Sequence, residues 1–358
     1  MSARRRLRRL SWGLAILFLV AVVVFYRYRT SQSPEWFDWN AFAETFRGMD
    51  KSSLAFALLA ISATYILRSL RWQQYTLPIG RTRMKNLLVA HIIGYTGVFL
   101  LGRPAEVVRP LLIARKENLR ISSMLGVVLF ERVQDVLAVL FWMGFGLLVL
   151  PAETVSTPRG SALLSATREA GWLALAAAVF AMALLGLWKW HSERILGWIE
   201  RIFRFLPHAI HQRASDLLRS FSTGWKAIEN IKILLTTFGY SLLIWYLVIV
   251  AHYLICRGAG VETANISFGG ATILVALGII GSVFLIPGIG GGYQAAVFIT
   301  LTSLFGVGVE TAAGLSVLLW LIAFAAITVI GVPLMIQQGL SFGELRSMSR
   351  KREETPAS

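Results

Sequence analysis

The chain has 358 residues, of which 56% are hydrophobic and 15% charged, and its formal net charge is +16 at pH 7. This composition excludes an ordinary soluble domain and predicts an all-α, polytopic membrane protein. The positive charge indicates no nucleic-acid partner, because the basic residues fall between apolar spans. The single cysteine, Cys256, excludes an intrachain disulfide.

Six full membrane spans and two re-entrant helical pairs are predicted along the chain. The first span follows a run of arginines and has no cleavage site after it, so we expect it to be retained. The aromatic residues between it and the second span favour a helix that lies in the outer membrane interface. The predicted full spans are 10–26, 52–67, 121–150, 170–188, 233–255 and 311–336.

The first re-entrant pair is predicted around a glycine and a proline. The apolar run 86–101 contains about 15 residues, and roughly 20 are needed to cross a bilayer. Gly102 permits a tight turn, and Pro104 favours the start of a new helix, which we expect to end near Arg115. Irregular backbone at membrane depth requires protein or water to satisfy it.

A second pair repeats this plan later in the chain. Its apolar run, break and short helix are predicted at 267–286, 287–294 and 294–305. The separation from Glu106 to Arg132 is 26 positions, as is that from Gln294 to Trp320. The two breaks follow helices that enter from opposite sides, so the repeats are predicted to be inverted, an architecture typical of secondary transporters.

Three regions are predicted on this basis. They are an N-terminal span and interfacial helix at 1–50, a transmembrane domain at 51–340 and a basic tail at 341–358. Within the domain, repeat one covers 51–150 and repeat two covers 233–338. They are linked by 151–232, which contains the fifth span and an inner amphipathic segment. Of 35 Lys and Arg residues, 25 lie in segments that we assign to the cytoplasmic side, including the loop 68–85. This bias predicts that both termini are cytoplasmic.

Charged residues occur inside otherwise apolar helices of the first repeat. They are Glu106, Arg109, Glu131, Arg132 and Asp135. Five unpaired charges at mid-membrane would cost more than about 10 kcal/mol, so they must form ion pairs or line a hydrated cavity. A structural ion-pair cluster is one interpretation, a polar pathway or headgroup site is the other, and both can hold together.

An anion site is predicted where the two breaks meet. The short helices beginning near Pro104 and Gly292 would direct free N–H groups inward, next to several arginines. The candidate substrate-binding residues are Arg103, Glu106, Arg109, Glu131, Arg132, Asp135, Gly290, Gly291, Gly292 and Gln294. We predict an anionic lipid, such as a membrane phospholipid, as the partner. No catalytic, metal or cofactor-binding motif is recognised.

Three segments carry a resemblance to a known family. They are Gly102–Pro110, the group Glu131-Arg132-x-x-Asp135, and the glycine-rich segment from Pro287 to Gln294. Over about 45–340 the chain resembles the lysylphosphatidylglycerol synthase transmembrane region, or flippase-like, family. It departs from the family pattern at Gln294, where Glu is more common, and at Trp320-Leu321, where an Arg is usual.

The resemblance implies an integral protein of the bacterial inner membrane, with a transmembrane part associated with moving lipids between leaflets. The leading hypothesis is therefore a non-enzymatic lipid transporter or flippase-like protein. Two alternatives stay open. One is a membrane enzyme that acts on lipid headgroups, and the other is a non-transporting partner of an envelope enzyme.

Overall fold

The computed structural model describes residues 37–149, 169–183, 230–286 and 288–340. The predicted first span, most of the inner amphipathic segment and the basic tail lie outside them. Several helices begin at an Asp, Asn or Ser side chain that accepts backbone N–H bonds, as expected for N-caps. The helices are α1 Trp39–Arg47, α2 Lys51–Thr76, α3 Met84–Leu101, α4 Val108–Glu117, α5 Ile121–Leu148, α6 Glu169–Ala183, α7 Ile231–Gly258, α8 Val261–Ala264, α9 Phe268–Gly281, α10 Gly292–Ser303, α11 Val309–Trp320 and α12 Thr328–Gln337.

Four of the described helical segments are long and apolar enough to cross a membrane: Lys51–Thr76, Met84–Leu101, Ile231–Gly258 and Val309–Gln337. Helix α5 has 28 residues but contains three charged ones near its middle. Large apolar side chains such as Phe56, Phe180 and Val329 are exposed on the outer surface, as a bilayer requires. The chain is thus a polytopic all-α membrane protein. The predicted count of six full spans stays a prediction, as does the re-entrant course of α3, which is itself long enough to span.

The predicted end of the second span is wrong. Helix α2 continues from Leu67 to Thr76, so Arg68 and Arg71 belong to the helix and not to a basic loop. Both arginines are buried. The helix continues past these charges because other helices supply partners for them, so they need no contact with bulk water.

The first break begins where it was predicted. Helix α3 ends at Leu101, and Gly102 adopts a φ of 79°, which favours glycine. The segment that follows is not one helix from Pro104, because Arg103–Val107 forms a 3₁₀-helix before α4 begins at Val108. This change of helix type alters which side chains share a face.

The second break is longer and includes a small β-ribbon. Helix α9 ends at Gly281, and the two-residue strands β1 Leu285–Ile286 and β2 Gly290–Gly291 pair in antiparallel fashion before α10 begins. Farther on, Leu321–Ala325 forms one turn of π-helix between α11 and α12.

The packing partners of the two predicted repeats correspond. Helices α2 and α7 make the most extensive contact. Helix α3 packs on α2, α4 and α12, and α9 packs on α7, α10 and α5, the equivalent elements of the other set. This correspondence supports the repeat hypothesis, whose inverted orientation in a membrane stays a prediction.

The N-cap of α2 provides a test of this local structure. Hydrogen bonds from the Ser52 and Ser53 hydroxyls lower the pKa of Asp50 well below its usual value. The carboxylate therefore stabilises the folded state at neutral pH, and that contribution is lost as the pH falls below about 4. We expect Asp50→Ala to lower the melting temperature in detergent at pH 7, with a difference from wild type that narrows in acid. Asp50→Asn, a cap that does not titrate, should show a smaller loss at pH 7. An Asp50→Ala difference that is constant with pH would contradict this.

Candidate functional site

Arg71 is the centre of a buried charge network. Its side chain is 0% exposed, and the guanidinium donates to Asp135 Oδ1 at 2.6 Å and to Glu131 Oε1 at 2.5 Å. A third bond, also 2.6 Å long, reaches the Ser241 hydroxyl on α7. One arginine of α2 thus joins two carboxylates of α5 to a third helix.

Arg109 adds a second cation to the same network. It donates from Nη1 to Glu131 Oε1 at 3.1 Å, and from Nη2 to Glu131 Oε2. Its guanidinium carbon lies 4.9 Å from the ring centroid of Trp72. The approach of α4 to α3 requires a glycine, because a Cβ at Gly94 would lie 2.7 Å from the Arg109 Cβ.

The four residues Arg71, Arg109, Glu131 and Asp135 are termed the inner charge network. It contains two positive and two negative groups, so it is neutral. Asp135 also accepts a bond from the Trp245 indole at 3.2 Å. The interpretation as a structural ion-pair cluster fits this part of the predicted site, since every charge has a buried partner.

Arg103, Glu106 and Arg132 form a second cluster, termed the outer charge group. Arg103 donates to Glu106 Oε1 at 2.9 Å, and Arg132 donates to Glu106 Oε2 at 3.4 Å. Their side chains are 44%, 27% and 39% exposed, in the order Arg103, Glu106, Arg132. Two arginines share one carboxylate, so this group has a surplus positive charge.

A small cavity lies between the inner network and the outer group. Its empty volume, part of which is open to the surroundings, is about 210 Å³. The lining residues come from α3, α4, α5 and the 3₁₀-helix, and they are Gly94, Tyr95, Val98, Glu106, Arg109 and Arg132. Glu106 and Arg109, both candidate binding residues, line one cavity, although they contact different partners. We call this space the Tyr95 cavity.

The glycine-rich segment of the second break lies elsewhere. Gly290, Gly291, Gly292 and Gln294 are not among the residues that line the Tyr95 cavity. Gln294 accepts the Gly291 N–H at 2.6 Å and donates to the Ile289 carbonyl at 2.8 Å, so both ends of its amide hold its own loop. Their predicted role in substrate binding stays a prediction, while the geometry gives them a role in shaping the loop.

The two breaks nevertheless meet. Arg103 donates to the Ser282 carbonyl at 3.0 Å and to its hydroxyl at 3.1 Å. The Gly288 N–H donates to the Phe99 carbonyl at 2.8 Å. The second break therefore contacts the site through Ser282 and its main chain, and the predicted Gly292–Gln294 segment takes no part in these bonds.

Sequence reasoning missed Arg68 and Arg71. Arg68 donates to the Tyr95 hydroxyl at 2.7 Å, next to the cavity. A signal was present: the two arginines are three positions apart in a run of apolar residues, and hence on one face of a helix. Such a pattern indicates buried charge as well as the end of a span.

Two histidines, His91 in α3 and His252 in α7, are buried. His91 lies against the Trp72 ring, and its Nδ1 is 2.8 Å from the Leu87 carbonyl. His252 contacts the Tyr293 hydroxyl through Nε2 at 2.6 Å. In the described part of the chain, no group of three or more His, Cys, Asp or Glu residues is arranged to hold a metal ion.

Comparison with known proteins gives one family. The sequence profile described as "Lysylphosphatidylglycerol synthase TM region" matches residues 13–331. No curated protein sequence matches the chain. The match covers both breaks, the inner charge network and the outer charge group.

Proposed function

Because the chain belongs to the lysylphosphatidylglycerol synthase TM region family, a group linked to lipid handling, we propose that it is a flippase-like lipid transporter that binds an anionic headgroup. The proposal assigns the protein no catalytic role. It is a multi-pass protein, placed by the proposal in the bacterial inner membrane with both termini in the cytoplasm.

The surplus positive charge of the outer charge group carries the proposal. The bond from Arg132 to Glu106 is 3.4 Å long, which is beyond the usual range for a strong hydrogen bond. A phosphate can replace Glu106 as the partner of Arg132 and accept two parallel N–H bonds from the guanidinium. Partial exposure of all three side chains allows this exchange without opening the core.

The size of the Tyr95 cavity restricts what enters it. The cavity is small, and part of its empty space is open to the surroundings. In this proposal the headgroup phosphate contacts the open side of the cavity, and the acyl chains stay in the bilayer. The exposed apolar side chains on the outer helix faces are suited to contact those chains.

The inner charge network has a different role in this proposal. It connects α2, α4, α5 and α7 next to the cavity and so fixes the position of Arg109 and Arg132. Because its charges cancel, it does not compete for the anion.

Leaflet exchange of a fluorescent phosphatidylglycerol in liposomes tests the proposal. We expect exchange to be faster than in protein-free liposomes and to fall about tenfold in Arg132→Gln, since a hydrogen bond to a charged group is being removed. Arg115→Gln, which removes the same charge from an exposed position on α4, is the matched control and should leave the rate unchanged.

Two results would contradict the proposal. One is a wild-type rate equal to that of empty liposomes, and the other is an Arg132→Gln rate equal to wild type. Cleavage of the reporter headgroup without exchange would favour the enzyme alternative.

A further inference from the structure

Arg68 is a buried cation beside the Tyr95 cavity. Its residue is 8% exposed, and its guanidinium carbon lies 5.1 Å from the ring centroid of Tyr95 and 5.9 Å from that of Trp245. Two aromatic rings and one phenol hydroxyl surround the charge. None of these groups is anionic.

Within the described ranges, Arg68 makes no ion pair. Arg71 and Arg109, which are similarly buried, each contact a carboxylate directly. A buried charge without a counter-charge is costly, and an anion nearby reduces that cost. Arg68 therefore contributes a positive charge without an ion-pair partner next to Tyr95, which lines the cavity.

Tyr95 lies between Arg68 and the cavity. Its hydroxyl oxygen accepts the Arg68 N–H at 2.7 Å, so its own proton is available to donate. No acceptor for this proton occurs among the described residues. A phenol that accepts from a cation is polarised and donates more strongly, and Tyr95 lines the same cavity as Arg132.

Two surplus positive charges thus lie close to one small cavity, although Arg68 is not among its lining residues and is separated from it by Tyr95. One comes from the outer charge group and the other from Arg68, while the inner charge network is neutral. A phosphodiester headgroup carries one negative charge and balances half of this surplus. A phosphomonoester carries nearly two at pH 7 and balances it all.

We propose that the Tyr95 hydroxyl, backed by Arg68, binds together with Arg132 a headgroup that bears a phosphomonoester. Tyr95 and Arg132 contact the phosphate, and Arg68 is a positioning residue that acts through Tyr95. This inference rests on the proposed function and names the headgroup class that the site prefers.

Lipid retention, measured by native mass spectrometry of the full chain in detergent, tests the preference. With equimolar phosphatidic acid and phosphatidylglycerol at pH 7.5, we expect wild type to retain phosphatidic acid about tenfold better. Tyr95→Phe, which removes one hydroxyl, and Arg68→Met should abolish the preference. Arg115→Met, the matched loss of an exposed charge, should keep it.

A pH series adds a readout that a purely structural role would not change. The second proton of a phosphomonoester binds near pH 6, so below that pH its charge approaches that of a diester. The preference of wild type for phosphatidic acid should therefore decline from pH 7.5 to pH 5. Tyr95→Phe should show little dependence on pH over this range.

The melting temperature distinguishes a variant that has lost anion binding from a variant that is misfolded. Without added lipid, Arg68→Met should melt at or above the wild-type temperature, because an uncompensated buried charge is removed. Phosphatidic acid should then stabilise wild type and leave Arg68→Met unchanged. A large loss of stability in Arg68→Met without lipid would show that Arg68 already has a partner, and the inference would be wrong.

The remaining outcomes separate the two proposals. Equal retention of phosphatidic acid and phosphatidylglycerol overturns the inference and leaves the proposed function intact. Retention of neither above phosphatidylcholine overturns both. Stabilisation by inorganic phosphate that exceeds the effect of phosphatidic acid would identify a free anion as the ligand and contradict the lipid assignment.

Discussion

Arg71→Met is expected to yield little folded protein. The substitution keeps most of the side-chain volume but leaves Glu131 with Arg109 alone and Asp135 with the Trp245 indole alone. Breaking a buried ion pair from one side costs about 3–5 kcal/mol. Since the whole stability of a domain is commonly about 5–15 kcal/mol, the effect should be severe. The melting temperature in detergent and the monodisperse yield measure it.

Neutralising Asp135 as well should recover part of the lost stability. In the double variant Arg71→Met with Asp135→Asn, the carboxylate that has lost its counter-charge becomes a neutral amide, so we expect stability between the single variant and wild type. Arg115→Met controls for the loss of a cation and should melt like wild type. A melting temperature of Arg71→Met equal to wild type would refute the central position of this arginine.

Gly281→Ala is expected to disrupt the second break. A Cβ at Gly281 would lie 2.2 Å from the Gly292 carbonyl oxygen and 2.7 Å from the Ala296 Cβ, so α9 and α10 would have to separate. Overpacking of this kind costs about 3 kcal/mol at the upper end of measured cases. The separation would also shift Ser282, which accepts two bonds from Arg103. We expect lower stability and slower leaflet exchange.

Gly239→Ala is the matched control. This glycine is also inside a helix, but a Cβ there would have no neighbour within 4 Å. Alanine is preferred to glycine in a helix by about 0.5–1 kcal/mol, so this variant should be as stable as wild type or slightly more stable. Equal behaviour of the two variants would argue against a close contact between α9 and α10.

Local features of the sequence were sufficient to predict the first break. Gly102 ends α3 because of its φ, and Pro104 lies at the start of the next helical segment. The charges at Glu131 and Asp135 were predicted either to form ion pairs or to line a hydrated cavity, and both carboxylates form ion pairs. In each case, the physical cause is a property of one residue or of its depth in an apolar run.

The partners of those charges could not be predicted in the same way. Arg71 lies 60 positions from Glu131, and helix periodicity relates only residues three or four positions apart. The arginines of α2 looked like the boundary of a span because only a distant helix makes their burial favourable. Gln294 shows the opposite case, since its hydrogen-bond partners are in its own turn and not across the protein, and its role in substrate binding stays a prediction.

The hydrogen bond between the Gly288 amide and the Phe99 carbonyl limits which sequence changes the two breaks can tolerate. Both atoms belong to the main chain, so exchanging the Phe99 side chain leaves this hydrogen bond in place, whereas Gly288 has a φ of 71°, which favours glycine. Adding or deleting a residue in either loop would carry the amide or the carbonyl out of reach. The lengths of these loops should therefore be more restricted than the choice of side chain at Phe99.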